Sequence, residues 1–245
     1  MNTEFNLTRL GHFMRRQLYM NISSMWVAVV AIVGVLLVIS GFTAYFNPHA
    51  ISNLIPLYLV VLFLGGYIFT SRVYSEMHTP QKSYAFLTLP VSTAEKLVGA
   101  WLIVGPIYLI AAVAGVFVLA LFSALVAGQP ANLPNLTSNQ FIRPVGVFLV
   151  LQTIFFLGAT AFKGNNFLKT LLALFILAVV LVAYTGLLGY MLFGNEGARF
   201  EEGAASSFEG TMKFITDQLI PFLFWFVLPL FLLVVSFFKL KERQV

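Results

Sequence analysis

The chain has 245 residues, of which 60% are hydrophobic and only 9% are charged. Soluble domains carry about 25% charged residues, so this composition excludes an ordinary soluble domain and predicts a polytopic membrane protein. The net charge is +5, but the basic residues stand at the ends of apolar runs, which favours membrane lipids over nucleic acid as their partner. The absence of cysteine excludes disulfides, thiolate chemistry and cysteine-bound metals.

The first 25 residues predict an amphipathic helix that lies in the cytosolic membrane interface. Leu7, Leu10, Met14 and Leu18 recur at helical spacing, and the arginines of this segment lie off that line. The helix leads into the apolar run Trp26–Phe46, which is longer than the apolar region of a signal peptide and is followed by no cleavage site. We therefore expect an uncleaved first span.

Six apolar runs are long enough to cross a membrane, which takes roughly 20 residues of helix; none contains Asp, Glu, Arg or His, and their one Lys is Lys169, the second residue of the fifth run. They are 26–46, 51–70, 97–127, 145–162, 168–193 and 219–238. The fold predicted is all-α, with six transmembrane helices in a single domain over residues 1–245. The third run exceeds one perpendicular crossing, so it must tilt, kink at Pro106 or begin in the interface near Trp101. Close helix approach is expected at Gly65–Gly66 and at Gly186 with Gly189.

Basic residues in the connecting segments predict the orientation of these spans. With both termini in the cytosol, 11 of the 14 Lys and Arg residues fall inside and 3 outside. The inside residues are Arg9, Arg15, Arg16, Arg72, Lys82, Lys96, Lys163, Lys169, Lys239, Lys241 and Arg243. The outside segment 194–218 is polar and acidic, which predicts a surface helix or loop beyond the membrane.

The stretch between the second and third spans has features of a built element. Ser92 and Glu95 have the spacing of a capping box, and Pro90 disfavours helix at the residue before it. A helix should therefore start near Ser92 and continue into the third span. Upstream, Tyr84 and Phe86 stand in a predicted cytosolic loop, where exposed aromatic side chains need lipid headgroups or a partner protein to contact.

The cytosolic stretch LTLPVSTAEKLVGAW resembles the corresponding segment of ABC-2-type transporter permeases. The six-span layout, the basic N-terminal segment and the short ending FFKLKERQV are also similar, so the resemblance covers nearly the whole chain by layout and about 15–20 residues by motif. It implies a bacterial inner-membrane permease subunit that forms the translocation path for export. It also implies two partners, a separate ABC ATPase subunit and a second copy or relative of the permease.

In that family a short coupling helix at this position docks into the ATPase. The resemblance thus implies ATPase contacts here, with Tyr84 and Phe86 as anchors, Pro90 and Ser92 setting the helix start, and Glu95 and Lys96 as cap and rim charge.

Motifs for bound nucleotide, metal or catalysis are not found. The chain has no GxxxxGK[ST] phosphate loop and no HExxH motif, and its three histidines are isolated in predicted surface segments. We therefore expect no enzymatic activity and no cofactor in this chain. Gln152 and Thr153 are the strongest intramembrane polar candidates, and Gln152 is expected to hydrogen-bond across helices.

Three other functions remain open at the level of the sequence. A non-transporting membrane scaffold or assembly protein would also have a charge-free bundle. An ion-independent carrier is less favoured, because carriers use a charged or unwound site at the midplane and only Pro106 and Gln152 offer one. A membrane enzyme would need a catalytic constellation, which the sequence lacks.

Overall fold

The structure is a computed structural model that describes residues 5–128, 135–193, 210 and 213–243, and these are almost entirely helical, with no strand among them. Most of the acidic segment 194–218 lies outside the described residues. The α-helices are α1 (Leu7–Phe46), α2 (Leu54–Arg72), α3 (Ser75–His78), α4 (Pro80–Leu87), α5 (Thr93–Leu102), α6 (Tyr108–Ala127), α7 (Asn139–Ala161), α8 (Asn166–Phe193), α9 (Ile220–Phe222) and α10 (Leu228–Glu242). A 3₁₀ turn, Pro48–Asn53, joins α1 to α2.

Six helical runs are long and apolar enough to span a membrane, which confirms the predicted all-α polytopic fold. They are Trp26–Phe46, Leu54–Arg72, Thr93–Ala127, Asn139–Ala161, Asn166–Met191 and Ile215–Glu242. The protein is therefore a membrane protein with six transmembrane helices.

The N-terminal segment is helical as predicted, and it forms one continuous helix with the first span. The side chain of Asn6 caps the start of α1 by accepting from the amide of Thr8, and the helix then runs for 40 residues, about 60 Å. Leu10 and Phe13 are buried against Gly99 of α5. This part of α1 is thus packed into the protein.

Prolines account for the widened turns in two of the spans. A π-helical segment, Ile103–Ile107, contains Pro106 and joins α5 to α6, so the third span has its predicted irregularity at that proline. In the last span, π segments Ile215–Leu219 and Leu223–Val227 lie before Pro221 and Pro229. A proline ring collides with the carbonyl four residues earlier, and a π turn moves that carbonyl away.

Two clusters of buried side chains form the core. The central core lies between α1, α2, α6 and α7 and consists of Leu36, Leu54, Tyr58, Leu59, Phe63, Val116, Leu119, Phe141 and Phe148. The basic-end core consists of Phe13, Val73, Tyr74, Met77, Phe86, Val91, Ala100, Ile103, Val104, Phe156, Ala159 and Leu240. This second cluster lies at the end of the bundle where the N-terminal residues, the 73–92 connection, the 162–165 connection and the C-terminal residues meet. We call this end of the bundle the basic end.

Close helix packing occurs at some of the expected glycines. Gly66 faces Tyr108 and Phe148, and a methyl group there would collide with both rings, so the predicted close approach is confirmed. Gly186 and Gly189 show no such packing, because a methyl group added to either would meet no side chain or neighbouring helix of the described residues within 4 Å. Both lie on α8. None of the 18 residues in its apolar membrane-spanning stretch is buried, so its apolar side chains are free to contact lipid.

Substitution of Gly158 by Ala tests this packing. A Cβ on Gly158 would overlap the Oγ1 of Thr170, so α7 and α8 would have to separate, which costs about 1–3 kcal/mol. Gly186→Ala is the matched control, and it should stabilise slightly because Ala is the better helix former. Thermal unfolding in detergent should therefore move in opposite directions for the two variants. A shift in the same direction would show that α7 and α8 do not pack as described.

Candidate functional site

The connection between the second and third spans is a folded projection at the basic end. The sequence predicted a loop around residues 83–89, but α4 covers Pro80–Leu87, and the short helix α3 precedes it. Pro80 stands in the first turn of α4, where a missing N–H costs nothing, and Thr79 accepts from the amide of Ser83. The prediction of a loop was therefore wrong, since local hydrogen bonds close a helix there.

Phe86 lies inside the protein. Its side chain has no exposed surface, and its ring meets Tyr74 and Phe13 edge to face at centroid distances of 6.1 and 6.4 Å. The expectation of an exposed anchor was therefore wrong for this conformation. Because Phe13 belongs to α1 and Tyr74 follows α2, Phe86 connects α4 to both.

Lys96 is also inside, so the expectation of a rim charge was wrong in the same way. Its side chain is fully buried, and its Nζ donates to the carbonyl of Leu87 at 3.3 Å while lying 5.3 Å from the Phe86 ring centroid. A cation at the C-terminal carbonyls of a helix is stabilising, and contact with an aromatic face adds to this. Lys96 therefore binds the end of α4 to the first turn of α5.

Glu95 joins the start of α1 to the start of α5. The capping box is confirmed, because the Ser92 amide donates to Glu95 Oε2 at 2.8 Å and the Glu95 amide donates to Ser92 Oγ at 3.2 Å. Its other oxygen, Oε1, accepts from the Asn6 amide at 2.7 Å and from Arg9 Nη2 at 2.9 Å. A fully buried carboxylate needs such partners, so the start of α1 is fixed to the start of α5.

The helix α1 makes a second ionic contact with the projection. Arg16 Nη1 lies 3.1 Å from Glu76 Oε2 of α3, and the Glu76 side chain is only 8% exposed. Pairing at this depth is screened less by salt than pairing on an open surface. The start of α1 is therefore attached to α5 through Glu95 and to α3 of the projection through Glu76.

The C-terminal residues hold the other side of the projection. Arg243 donates to His78 Nδ1 at 2.6 Å and to the Ala161 carbonyl at 3.1 Å, and His78 Nε2 lies 2.8 Å from the Ala159 carbonyl. Since guanidinium only donates, Nδ1 must accept and the proton must lie on Nε2, which makes the ring neutral. Burial lowers the pKa of His78, the Ala159 hydrogen bond opposes that change, and Arg243, Lys163 and Lys169 lower it further.

One face of α4 and the turn after it are exposed on the projection. Tyr84 is 77% exposed, and Gln81, Lys82, Thr88 and Pro90 are exposed beside it. Of the predicted contact residues, Tyr84 and Pro90 thus lie on the surface, Ser92 serves as the cap, and the other three are buried. We call this exposed surface of Gln81, Lys82, Tyr84, Thr88 and Pro90 the platform. Tyr84 is its one large aromatic side chain.

The intramembrane polar candidates differ from each other. Thr153 Oγ1 donates to the Val150 carbonyl of its own helix at 2.7 Å. Gln152 is fully buried and has no hydrogen-bond partner among the described residues, so the expected cross-helix bond is not present there. Its carboxamide lies instead against Gly105 in the π segment of the third span. The unpaired carboxamide of Gln152 thus lies beside the π segment Ile103–Ile107.

Sequence reasoning missed six polar residues that hold this end of the protein together, namely Asn6, Arg9, Arg16, Glu76, His78 and Arg243. His78 and Arg243 are 165 positions apart, so no local pattern links them. The available signal was the gathering of basic residues on one side, which indicates that these segments share one end of the bundle.

Within the part of the chain that the structure describes, no group of three His, Asp or Glu side chains is placed to hold a metal ion.

The contact between Arg243 and His78 should weaken in acid. Because the folded protein lowers the pKa of His78, the unfolded chain binds the proton more readily below about pH 6.5, and the contribution to stability is lost as the pH falls from there. Between pH 7.5 and 5.5 the thermal midpoint should fall further than in His78→Gln, whose amide accepts and donates without titrating. Equal falls in the two proteins would contradict the neutral ring.

Comparison of the chain with protein-family models, with curated proteins and with solved structures gives no match. The functional conclusion therefore depends on the chain's own residues.

Proposed function

We propose that this chain is the permease subunit of an ABC-2-type exporter, and that the platform on α4 receives a separate ATPase subunit. The proposal draws on the resemblance of the stretch LTLPVSTAEKLVGAW and on the six-span layout. The observation that carries it is the attachment of α4. Its outer face presents Tyr84, while Phe86 and Lys96 fix its inner face to the base of the third span.

This attachment suits the transfer of force. A partner that displaces α4 moves Phe86 and the Leu87 carbonyl, and Lys96 carries the displacement into α5. The run from α5 to α6 is continuous except for the widened turn at Ile103–Ile107. Helices bend most readily at prolines and π turns, so rotation of α5 would bend the third span there, beside Gln152.

The remaining parts of the proposal follow from the resemblance and from charge. The chain has no phosphate loop, so ATP hydrolysis belongs to the partner. The bias of basic residues favours a cytosolic position for the platform and both termini, and the resemblance implies the inner membrane of a bacterial cell. A second copy or a relative completes the permease, and transport runs outward.

Replacement of the exposed aromatic tests the platform directly. In Tyr84→Ala, retention of the candidate ATPase during purification should fall about thirtyfold, because an exposed aromatic anchor contributes about 2 kcal/mol or more to an interface. ATP hydrolysis by the complex should lose its stimulation by the permease. The matched control is Tyr45→Ala, which removes a tyrosine that is 74% exposed at the other end of the first span.

Both variants should keep the wild-type thermal midpoint, since neither side chain is buried. Unchanged retention and unchanged ATPase stimulation in Tyr84→Ala would refute docking at α4. If the ATPase binds through Tyr84 but ATP drives no substrate movement in reconstituted vesicles, the non-transporting scaffold replaces the permease as the function.

A further inference from the structure

A cleft with both polar and apolar lining residues opens at the basic end. It has a volume of about 670 Å³ and lies between the end of α2, the helix α3 and the first turn of α8. Ser71, Arg72, Ser75 and Thr79 line one side, and residues 164–168 line the other. This volume is in the range of small-ligand sites, which is about 300–1,000 Å³.

The cleft is surrounded by uncompensated positive charge. Arg72 lines it, Lys163 and Lys169 flank the lining residues of its second side, and Arg243 lies behind His78. The described acidic side chains at this end are already paired: Glu95 with Arg9, Glu76 with Arg16 and Glu242 with Lys239. The cations at the cleft have no carboxylate among the described residues, so an anion is the complementary ligand.

The backbone on the second side adds further donors. Gly164 and Asn165 take positive φ angles of 68° and 50°, which turn the chain sharply into α8. The first amides of a helix have no partner within it and favour anions, and here they belong to residues 166–168 of the cleft wall.

Asn166 fixes this wall and leaves one acceptor unused. Its Nδ2 donates to the Ser71 carbonyl at 3.2 Å, which ties the start of α8 to the end of α2. Its Oδ1 is buried and has no hydrogen-bond partner among the described residues. The cleft wall therefore holds donors for an anion.

We propose that this cleft binds the phosphate headgroup of an anionic phospholipid. The apolar surface beside the cleft favours a lipid over a free phosphate ion. Ile68, Phe167 and Leu168 line the cleft, and α8 continues from them with Leu171, Leu172 and Phe175 exposed. The headgroup and the acyl chains of one lipid thus meet a continuous surface, independent of any ATPase docking.

The test measures lipid retention by the purified full chain in detergent. Mixed micelles contain phosphatidylglycerol and phosphatidylcholine, and native mass spectrometry counts the bound molecules of each. Wild-type protein should retain phosphatidylglycerol selectively. In Arg72→Gln/Lys169→Gln retention should fall about thirtyfold, since each basic side chain contributes about 1 kcal/mol towards an anionic lipid. The control Lys82→Gln/Lys241→Gln removes two exposed basic residues of the same end that neither line the cleft nor adjoin a lining residue in the sequence.

Each outcome decides the proposal. Equal losses in the double variant and its control would show attraction to general surface charge and overturn the site. Displacement of the lipid by inorganic phosphate or glycerol 3-phosphate at equal concentration would make it a site for a free phosphate and overturn the lipid. If the double variant unfolds, Lys169→Gln alone decides, because among the described residues the exposed Lys169 Nζ donates only to the Lys163 carbonyl. That single variant should lose about fivefold in retention, and no loss would overturn the proposal.

Discussion

The buried carboxylate of Glu95 is the contact on which the basic end depends. A fully buried charge is costly unless its hydrogen-bonding capacity is met, and here the amides of Asn6 and Ser92 and the guanidinium of Arg9 meet it. These partners come from the start of α1 and from the turn before α5. One side chain therefore joins the start of the 40-residue first helix to the start of the third span.

The rest of the projection is built outward from that contact. Lys96, the next residue, faces the end of α4, and Phe86 fills the space between α1 and Tyr74. The central core of the bundle is held differently. The rings of Phe63 and Phe148 stack with their centroids 4.6 Å apart, and glycines let the helices approach closely. A polar, rigid end thus stands on an apolar bundle whose fifth and sixth spans bury few or none of their residues.

The features that depend on local pattern were predictable from the sequence, and those that depend on distant contacts were not. Length and hydropathy predict the six spans, and the Ser92 and Glu95 spacing predicts the helix start. The inward direction of Phe86 and Lys96 was not predictable, because an aromatic or a lysine in a connection has no periodic neighbours to show which face is covered. The pairing of His78 with Arg243 requires knowledge of which ends meet, and charge bias alone gives only the common side.

Hydrogen–deuterium exchange in Glu95→Ala tests most directly whether this carboxylate holds the projection together. The amides of residues 7–16 and 80–87 should exchange at least about tenfold faster than in wild type, because loss of the cap and of the ion pair costs more than about 1.4 kcal/mol. Glu242→Ala, which breaks only an exposed pair with Lys239, should leave both segments unchanged. Wild-type exchange rates in both segments of Glu95→Ala would contradict the central role of this contact.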